Sequence, residues 1–230
     1  MTVAEAQSLL RYLLGDKDTS DTYSSTNTLL LLNAANRHTW HKIANIAPHL
    51  CYEDKYVTVS AGSATADLAT AGEAEVLVLL GVYQMQQSGA IADSNRATPI
   101  PPCNPIDIEK ETTGSSPFAF DSRLRHAYDG QSNLVLRYGG APVASATYIL
   151  ARLIRVAAAL TLTTDNLLGG RFTHLHDLVV YRAVRVATDM TGERGNRFKE
   201  MENDAWNEAI PTLRQTYQEP MGVRNVLDWD

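Results

Sequence analysis

The chain has 230 residues, a net charge of −6, and 44% hydrophobic and 20% charged residues. This composition fits one or two folded domains with a buried core, and the acidic balance argues against tight binding of nucleic acid, which normally requires a basic patch. Cys51 and Cys103 match no metal-ligand spacing and are expected to be free thiols in a reducing compartment. Because neither a signal peptide nor a membrane-length apolar run is recognisable, we expect a soluble protein made in a cytoplasm.

Two helices are predicted in the first fifty residues. The first covers Val3 to Leu14 and ends at Gly15. The second covers residues 26–47, with Ser25 or Thr26 as its N-cap. The apolar face predicted for this second helix consists of Leu29, Leu32, Ala35, Trp40 and Ile43.

The middle of the chain changes to the periodicity of strands. Lys55 to Ala61 and Asn133 to Tyr138 alternate in polarity, and Thr147 to Val156 predicts a further strand, for which a helix is the competing interpretation. Glu75 to Tyr83 is apolar and bounded by turn residues, so it predicts a strand buried on both faces. The proline-rich residues 88–105 are predicted to form a loop.

The segment from Phe172 to Leu213 predicts a helical hairpin, because two amphipathic stretches flank a glycine-containing turn at residues 191–196. Pro211 should kink or cut the second helix. The predicted apolar face of the first helix is Leu175, Leu178, Val179, Val186 and Met190. That of the second helix is Phe198, Met201, Ala205, Ala209 and Leu213.

Helices at both ends of the chain therefore flank a region of strands. The simplest arrangement is a mainly α, α+β fold in which residues 1–50 and 157–218 together form one helical bundle. Residues 51–156 would be a β-rich insertion, and residues 219–230 an extended C-terminal tail for docking.

Few residues have a spacing that suits metal binding. His174, His176 and Asp177 are close in sequence, but helix residues two apart point in different directions. His38 and His41 can share a helix face, yet no third ligand is near them in sequence. We expect no metal site and no cofactor.

Signatures of catalysis are also missing from the sequence. Gly139-Gly140 and Gly169-Gly170 lack the spacing of a phosphate loop and are expected to be turns. Cys51 lies near His49 without an orienting acid, and no nucleophile elbow occurs. An enzyme would need paired titratable groups in a cleft, and the candidates in the β-rich middle are Asp107, Glu109, Glu111 and His126. Nothing in their spacing favours a catalytic site, and such charges usually lie on a solvated surface, so no catalytic residue is predicted.

The tail after Gln218 combines apolar residues with polar and charged ones. Exposing apolar surface costs about 25 cal/mol per Å², so the tail is expected either to fold back or to bind a partner. A tryptophan in it favours a partner, since tryptophan is enriched among interface anchors. The predicted partner-binding residues are Met221, Val223, Arg224, Val226, Leu227 and Trp229.

Several runs of the sequence carry a likeness to one family. They are Leu30 to Arg37, Val57 to Gly62 with Ala66 to Leu68, Leu134 to Tyr138 with Pro142, and Phe172 to Tyr181. In these runs and in the order of its elements, the chain resembles head-to-tail adaptor (connector) proteins of tailed bacteriophages. The likeness covers most of the chain, while the prolines near Pro101 and Pro211 depart from the expected pattern.

The resemblance implies a structural protein that forms a dodecameric ring beneath the portal. In such a ring the tail would attach to the portal, the lower face would meet a tail or nozzle protein, and genomic DNA would pass an acidic wall without specific binding. The resemblance implies a location in the neck of the virion, after assembly in the host cytoplasm and without a membrane. Candidate contacts between identical subunits are Arg182, Arg194, Arg197, Glu202 and Trp206.

Three other functions compete with the adaptor. Another neck or tail component, such as a stopper or tail-completion protein, would share the class but bind a different partner. An enzyme would use an unrecognised site in the β-rich middle. A cellular helical interaction module would never form rings.

Overall fold

The computed structural model of the protein describes residues 1–15, 23–68, 75–89, 96–103, 124–128, 133–138, 143–188 and 193–218. The chain divides into two compact units, Met1–Cys51 with Ala157–Asp230, and Tyr52–Val156. We call the first the helical unit and the second the sheet unit. Together their elements make an α+β fold.

Helix α1 (Val3–Leu14) has the predicted limits and is capped at both ends. The side chain of Thr2 accepts a hydrogen bond from the N–H of Glu5, and the Glu5 carboxylate accepts one from the N–H of Thr2 at 2.8 Å. This reciprocal pair is a capping box. At the other end Gly15 has a φ of 74°, which lets its N–H reach the carbonyl of Arg11.

Helix α2 (Ser25–Ile46) and the single turn α3 (Pro48–Cys51) follow. The N-cap of α2 is Ser24, one residue before the predicted position, and its hydroxyl accepts from the N–H of Asn27 at 3.3 Å. Its buried face matches the prediction except that Leu29 is only half-buried. The buried face also holds the polar side chain of Asn36. Its Oδ1 accepts a hydrogen bond from the buried N–H of Leu168 at 2.8 Å, so its burial leaves that oxygen paired.

Helix α4 (His176–Thr188) contacts α1 and α2 as well as the following helix, α5 (Glu193–Gln218). The helix begins later than the predicted Phe172. Phe172 has a φ of 52°, and a 3-10 turn, Thr173–Leu175, separates it from the first residue of α4. A left-handed backbone cannot continue an α-helix. The ring of Phe172 lies 6.2 Å from that of Trp40, so packing accompanies this uncommon conformation.

Helix α5 continues through Pro211 to Gln218, so Pro211 does not cut the helix, which was one of the two outcomes predicted for it. A proline in a helix deprives the carbonyl four residues earlier of its hydrogen bond. Here that carbonyl belongs to Asn207, and both Asn207 and Pro211 are exposed, so water can bind in place of the missing N–H. Ala209 and Leu213, on either side of the proline, stay buried.

The buried faces of the two later helices differ in part from the predicted ones. Leu178 and Val179 of α4, and Leu175 in the 3-10 turn before it, are buried as expected. Val186 is 36% exposed, and Met190 lies outside the described residues. In α5 Met201 and Ala205 are only half-buried. The buried positions there are Phe198, Glu202, Trp206, Ala209 and Leu213.

The sheet unit contains two antiparallel sheets. The larger has the strand order β1-β7-β3-β4, and its strands are β1 (Glu53–Val59), β3 (Val76–Met85), β4 (Ala97–Pro99) and β7 (Thr147–Arg155). The smaller has the order β2-β6-β5, and its strands are β2 (Thr65–Asp67), β5 (Leu124–Tyr128) and β6 (Asn133–Tyr138). Residues of both sheets share one apolar core, which includes Val59, Val82, Leu134, Leu136, Ile149 and Leu153.

The strand prediction for residues 147–156 is confirmed, because β7 is the strand that pairs with both β1 and β3. The prediction that residues 75–83 are buried on both faces is wrong, since Val78 and Leu80 are 40% and 42% exposed. The predicted proline-rich loop contains β4. Its Pro99 sits on an edge strand, where a missing N–H breaks no ladder.

Candidate functional site

Charged side chains gather where α2, α4 and α5 meet. The carboxylate of Glu202, only 3% exposed, accepts a hydrogen bond from Nη1 of Arg185 at 3.0 Å, and Nη1 of Arg182 lies 3.7 Å from it. Nζ of Lys42 lies 4.1 Å from the centre of the Trp206 ring, within the range of a cation–π contact. These five residues are the Glu202 cluster. Within the residues that the structure describes, its one carboxylate lies among three cationic side chains.

The positive charge of the cluster affects neighbouring groups. Burial lowers the pKa of Lys42, and Arg182 and Arg185 lower it further against the opposing effect of Glu202. Burial, followed by Arg182, also lowers the pKa of His38, so this imidazole is neutral at pH 7. An anion near His38 would act in the opposite direction on both pKa values.

A cleft of about 470 Å³ lies along the outer face of α2. It is lined by Asn33, Ala34, Arg37, His38 and His41, and the charges of the Glu202 cluster affect the pKa of His38. The helix period brings these residues to one side, since they recur at intervals of about four. The lining has one fixed positive charge and no acidic residue, so the cleft suits an anionic group.

Two side chains of the cleft differ in how their polar atoms are satisfied. Nδ2 of Asn33 donates to the carbonyl of Leu160 at 2.9 Å, and its Oδ1 accepts from the N–H of Leu160 at 2.7 Å. Nε2 of His41 is buried and has no hydrogen-bond partner in the part of the chain that the structure describes. Since buried polar atoms are nearly always paired, Nε2 of His41 is an exception among the described residues.

The histidines after the Gly169-Gly170 turn do not converge on one point. His176 is buried, with its Nε2 3.0 Å from the carbonyl of Arg171 and its Nδ1 2.7 Å from the amino group of Met1. His174 and Asp177 are exposed. Burial lowers the pKa of His176. Within the described ranges no three His, Cys, Asp or Glu side chains are grouped so that they could hold a metal ion.

The remaining sequence candidates do not form a catalytic site in the described residues. Burial raises the pKa of the Cys51 thiol to about 11, which disfavours the thiolate that a nucleophile needs. His126 is buried in β5, and burial lowers its pKa. Asp107, Glu109 and Glu111 lie outside the described residues, as does the Gly139-Gly140 pair.

The predicted interface residues occupy different environments. Glu202 and Trp206 are each 3% exposed and Arg182 is half-buried, so these side chains make contacts inside the helical unit. Arg197 is exposed on α5. The side chain of Arg194 and the whole predicted docking tail, including Met221, Val223, Arg224, Val226, Leu227 and Trp229, lie outside the described residues.

Sequence reasoning missed the burial of Glu202, although the sequence carries a signal for it. Glu202 stands four residues after Phe198 and four before Trp206, so it occupies the apolar stripe of α5. A charged residue in a buried stripe needs a partner of opposite charge. Arg182 and Arg185, three apart on α4, supply it.

A second charged cluster, in the larger sheet, also escaped sequence reasoning. Nε and Nη2 of Arg152 donate to the two carboxylate oxygens of Asp54 at 2.8 and 3.1 Å. The guanidinium lies 4.6 Å from the ring centre of Tyr52 and 6.0 Å from that of Tyr83. On β1 and β7 the two charged residues are register partners, a pairing that local sequence does not reveal.

No family model matches the chain, and no curated protein matches its sequence. Among the described residues, no helix is both long and apolar enough to cross a membrane. The candidate site therefore rests on its own geometry, the cleft on α2 together with the Glu202 cluster.

Proposed function

We propose that the chain is a structural subunit of a tailed-bacteriophage neck, an adaptor that forms a ring beneath the portal and joins head to tail. The observation that carries this proposal is the order of the elements, in which helices from both parts of a divided helical unit flank a sheet unit. The same order, together with runs such as Phe172 to Tyr181, is the basis of the resemblance to the adaptor family.

In its finer form the proposal assigns a task to each part of the chain. The helical unit is a bundle that contacts identical subunits, in a ring of about twelve copies as the resemblance implies. The tail after Gln218 attaches to the portal, and the opposite face of the ring meets a tail or nozzle protein. The acidic net charge of −6 lets genomic DNA pass without being held.

The test uses the purified protein and the portal rings of the same genome, mixed, sedimented together and imaged by electron microscopy. We expect a second ring stacked coaxially on the portal at matching stoichiometry. If intact portal rings bind nothing, the proposal moves to a more distal neck or tail component, which is the alternative function.

Truncation after Gln218 tests the role of the tail. We expect the shortened chain to lose co-sedimentation with portal rings, because the apolar residues and Trp229 would anchor it there. Its helical circular dichroism and thermal midpoint should stay close to those of the full chain. Undiminished binding by the truncated chain would show that the portal contact lies elsewhere.

A further inference from the structure

The first strand of the larger sheet, β1 (Glu53–Val59), has a neighbouring strand on one side only within the described residues. It pairs with β7 and stands at the end of the order β1-β7-β3-β4. Every second residue of such an edge strand turns its N–H and C=O groups away from the partner strand. An edge of this kind can accept a strand from another chain.

The second half of β1 lacks the features that usually protect an edge, which are proline, charged side chains and bulges. Tyr56 to Val59 contains no proline and no charged residue, and β1 pairs with β7 without a register shift. Tyr56 and Thr58 are exposed, and tyrosine, valine and threonine all favour strands. The strand at the other edge, β4, is three residues long and ends in Pro99. Of the two edges, β1 is therefore the better acceptor.

The acidic residues of β1 are already paired within the sheet. Asp54 accepts two hydrogen bonds from Arg152, and Glu53 forms an ion pair with Arg155. Like charges that lie directly opposite each other destabilise a pair of strands. An acidic segment such as residues 219–230 therefore meets no unpaired carboxylate on β1.

The sequence near the end of the chain alternates as a strand does. Four of the five odd-numbered positions from 221 to 229 are apolar, namely Met221, Val223, Leu227 and Trp229. Four of the five even-numbered positions from 222 to 230 are glycine or charged, namely Gly222, Arg224, Asp228 and Asp230. A period of two favours a strand with one apolar face over a helix. Such a strand is stable only when it pairs with a sheet that covers its apolar face.

We infer that residues 221–230 of one copy of this chain add as a strand to the open side of β1 in a second copy. The odd-numbered residues lie on the same face of the sheet as Val57 and Val59, which pack in or against the apolar core of the sheet unit. The even-numbered residues lie on the face of Tyr56 and Thr58. Main-chain hydrogen bonds supply affinity in such a contact, and the alternating side chains supply specificity.

A second copy is the source of the strand because the proposed function places identical chains side by side in a ring, and the inference rests on it for this point. Each copy offers one donor strand and one acceptor edge, so the contact is heterologous and can repeat around a ring. Residues 219–230 reach at most about 40 Å when extended, which allows a contact with a neighbour. Since the proposed function assigns the same tail to the portal, the strand contact belongs to the protein before it meets the portal.

A cysteine scan of the tail tests the contact in full-length chains. An acceptor with Thr58→Cys and an affinity tag is mixed under mild oxidation with donors that carry one cysteine each at positions 222 to 230. On adjacent strands, side chains of one face have Cβ atoms about 5 Å apart, whereas those of opposite faces point apart. We expect mixed dimers to form several-fold more at even-numbered positions. Asn225→Cys is the decisive minimum, because asparagine lies on the odd-numbered side without adding apolar surface.

The matched control acceptor is Thr98→Cys, an exposed threonine on β4 at the opposite edge of the same sheet. It should cross-link no more than the unmodified chain, which keeps Cys51 and Cys103. Equal yields at odd and even positions of the tail would overturn the inference. So would equal yields with the Thr58→Cys and Thr98→Cys acceptors.

Two substitutions of equal charge within the tail provide a test without cysteines. Leu227→Asp places a carboxylate on the apolar side of the strand, and Val226→Asp places one on the other side. In sedimentation velocity over a range of concentrations, we expect Leu227→Asp to weaken self-association about tenfold, because a buried leucine is lost. Val226→Asp should change it by less than about twofold. Equal effects of the two variants would contradict a strand with one buried face.

A chain that carries both Thr58→Cys and Asp228→Cys separates contact within one chain from contact between copies. Disulfide closure within single chains, while separate chains stay unlinked, would overturn the contact with a second copy. Stacking on portal rings tests the proposed function separately. Alternating cross-links without portal binding would support the strand contact and count against the adaptor. Portal binding with equal cross-links at all positions would do the reverse.

Discussion

The helical unit and the sheet unit handle partly buried charge in different ways. In the sheet unit each arginine of β7 has a carboxylate of its own, since Arg152 pairs with Asp54 and Arg155 with Glu53. In the helical unit one carboxylate, Glu202, faces several cations. A balanced pair stabilises its own unit and offers little to a ligand. A shared carboxylate makes several contacts depend on one side chain, so the cluster should be more sensitive than the pair to the loss of a single charge.

The largest expected effect comes from removing the shared carboxylate. Glu202→Gln should lower the free energy of unfolding by about 3 kcal/mol, because the cations around a buried site lose their counter-charge. Chemical denaturation of the full chain measures the change. The matched control is Glu200→Gln on the exposed side of α5, which should change stability by less than about 0.5 kcal/mol. Equal small losses for both variants would contradict the central position given to Glu202.

Breaking the Arg152–Asp54 pair of the sheet unit should lower the free energy of unfolding by less than the loss of Glu202 does. Asp54→Asn leaves the guanidinium of Arg152 in place between Tyr52 and Tyr83, and both charged side chains are partly exposed to solvent. We expect a loss of about 1 kcal/mol in the free energy of unfolding. Glu75→Gln, at an exposed position of the same unit, is the control. A loss as large as that of Glu202→Gln would remove the distinction between the two clusters.

The stability of the sheet unit should depend on pH, with an effect smaller than that of Asp54→Asn. Burial lowers the pKa of His126 below 6.5 in the folded state, so the unfolded chain binds a proton at higher pH than the folded chain does. The contribution of neutral His126 to the free energy of unfolding is therefore fully present above pH 6.5. It is lost as the pH drops from there toward the pKa of the folded state. Amide hydrogen exchange in β5 and β6 between pH 7.5 and 5.5 measures it. His126→Gln should flatten the local profile, and an unaltered profile would assign the effect to another group.

The smallest expected effect concerns the cation above the tryptophan. Lys42→Gln removes both the cation–π contact with Trp206 and one positive charge from the Glu202 cluster, and these two changes oppose each other. We expect the free energy of unfolding to change by no more than about 0.5 kcal/mol. Trp206 fluorescence should nevertheless shift, because the charge 4.1 Å from its ring centre is gone. A large destabilisation would mean that Lys42 supports Glu202 as strongly as the arginines do.

Local sequence patterns determined much of the secondary structure. The leucine stripe and Gly15 define α1, because a helix requires only contacts three or four residues apart and a residue that tolerates positive φ at its end. Alternation defines β6 and β7 in the same local way. The start of α4 and the continuation of α5 past Pro211 were not predictable locally, since Phe172 packs on Trp40 and residues around Pro211 are held by burial.

The sequence by itself determined the α+β composition, the acidic net charge and the positions of most helices and strands, because periodicity and composition are properties of neighbouring residues. Only the tertiary structure decided which charges meet. Glu202 and Arg185 are 17 residues apart and Asp54 and Arg152 are 98 apart, so their pairing depends on how the chain returns on itself. The cleft on α2 is likewise a consequence of packing, which leaves one face of that helix uncovered while burying the other.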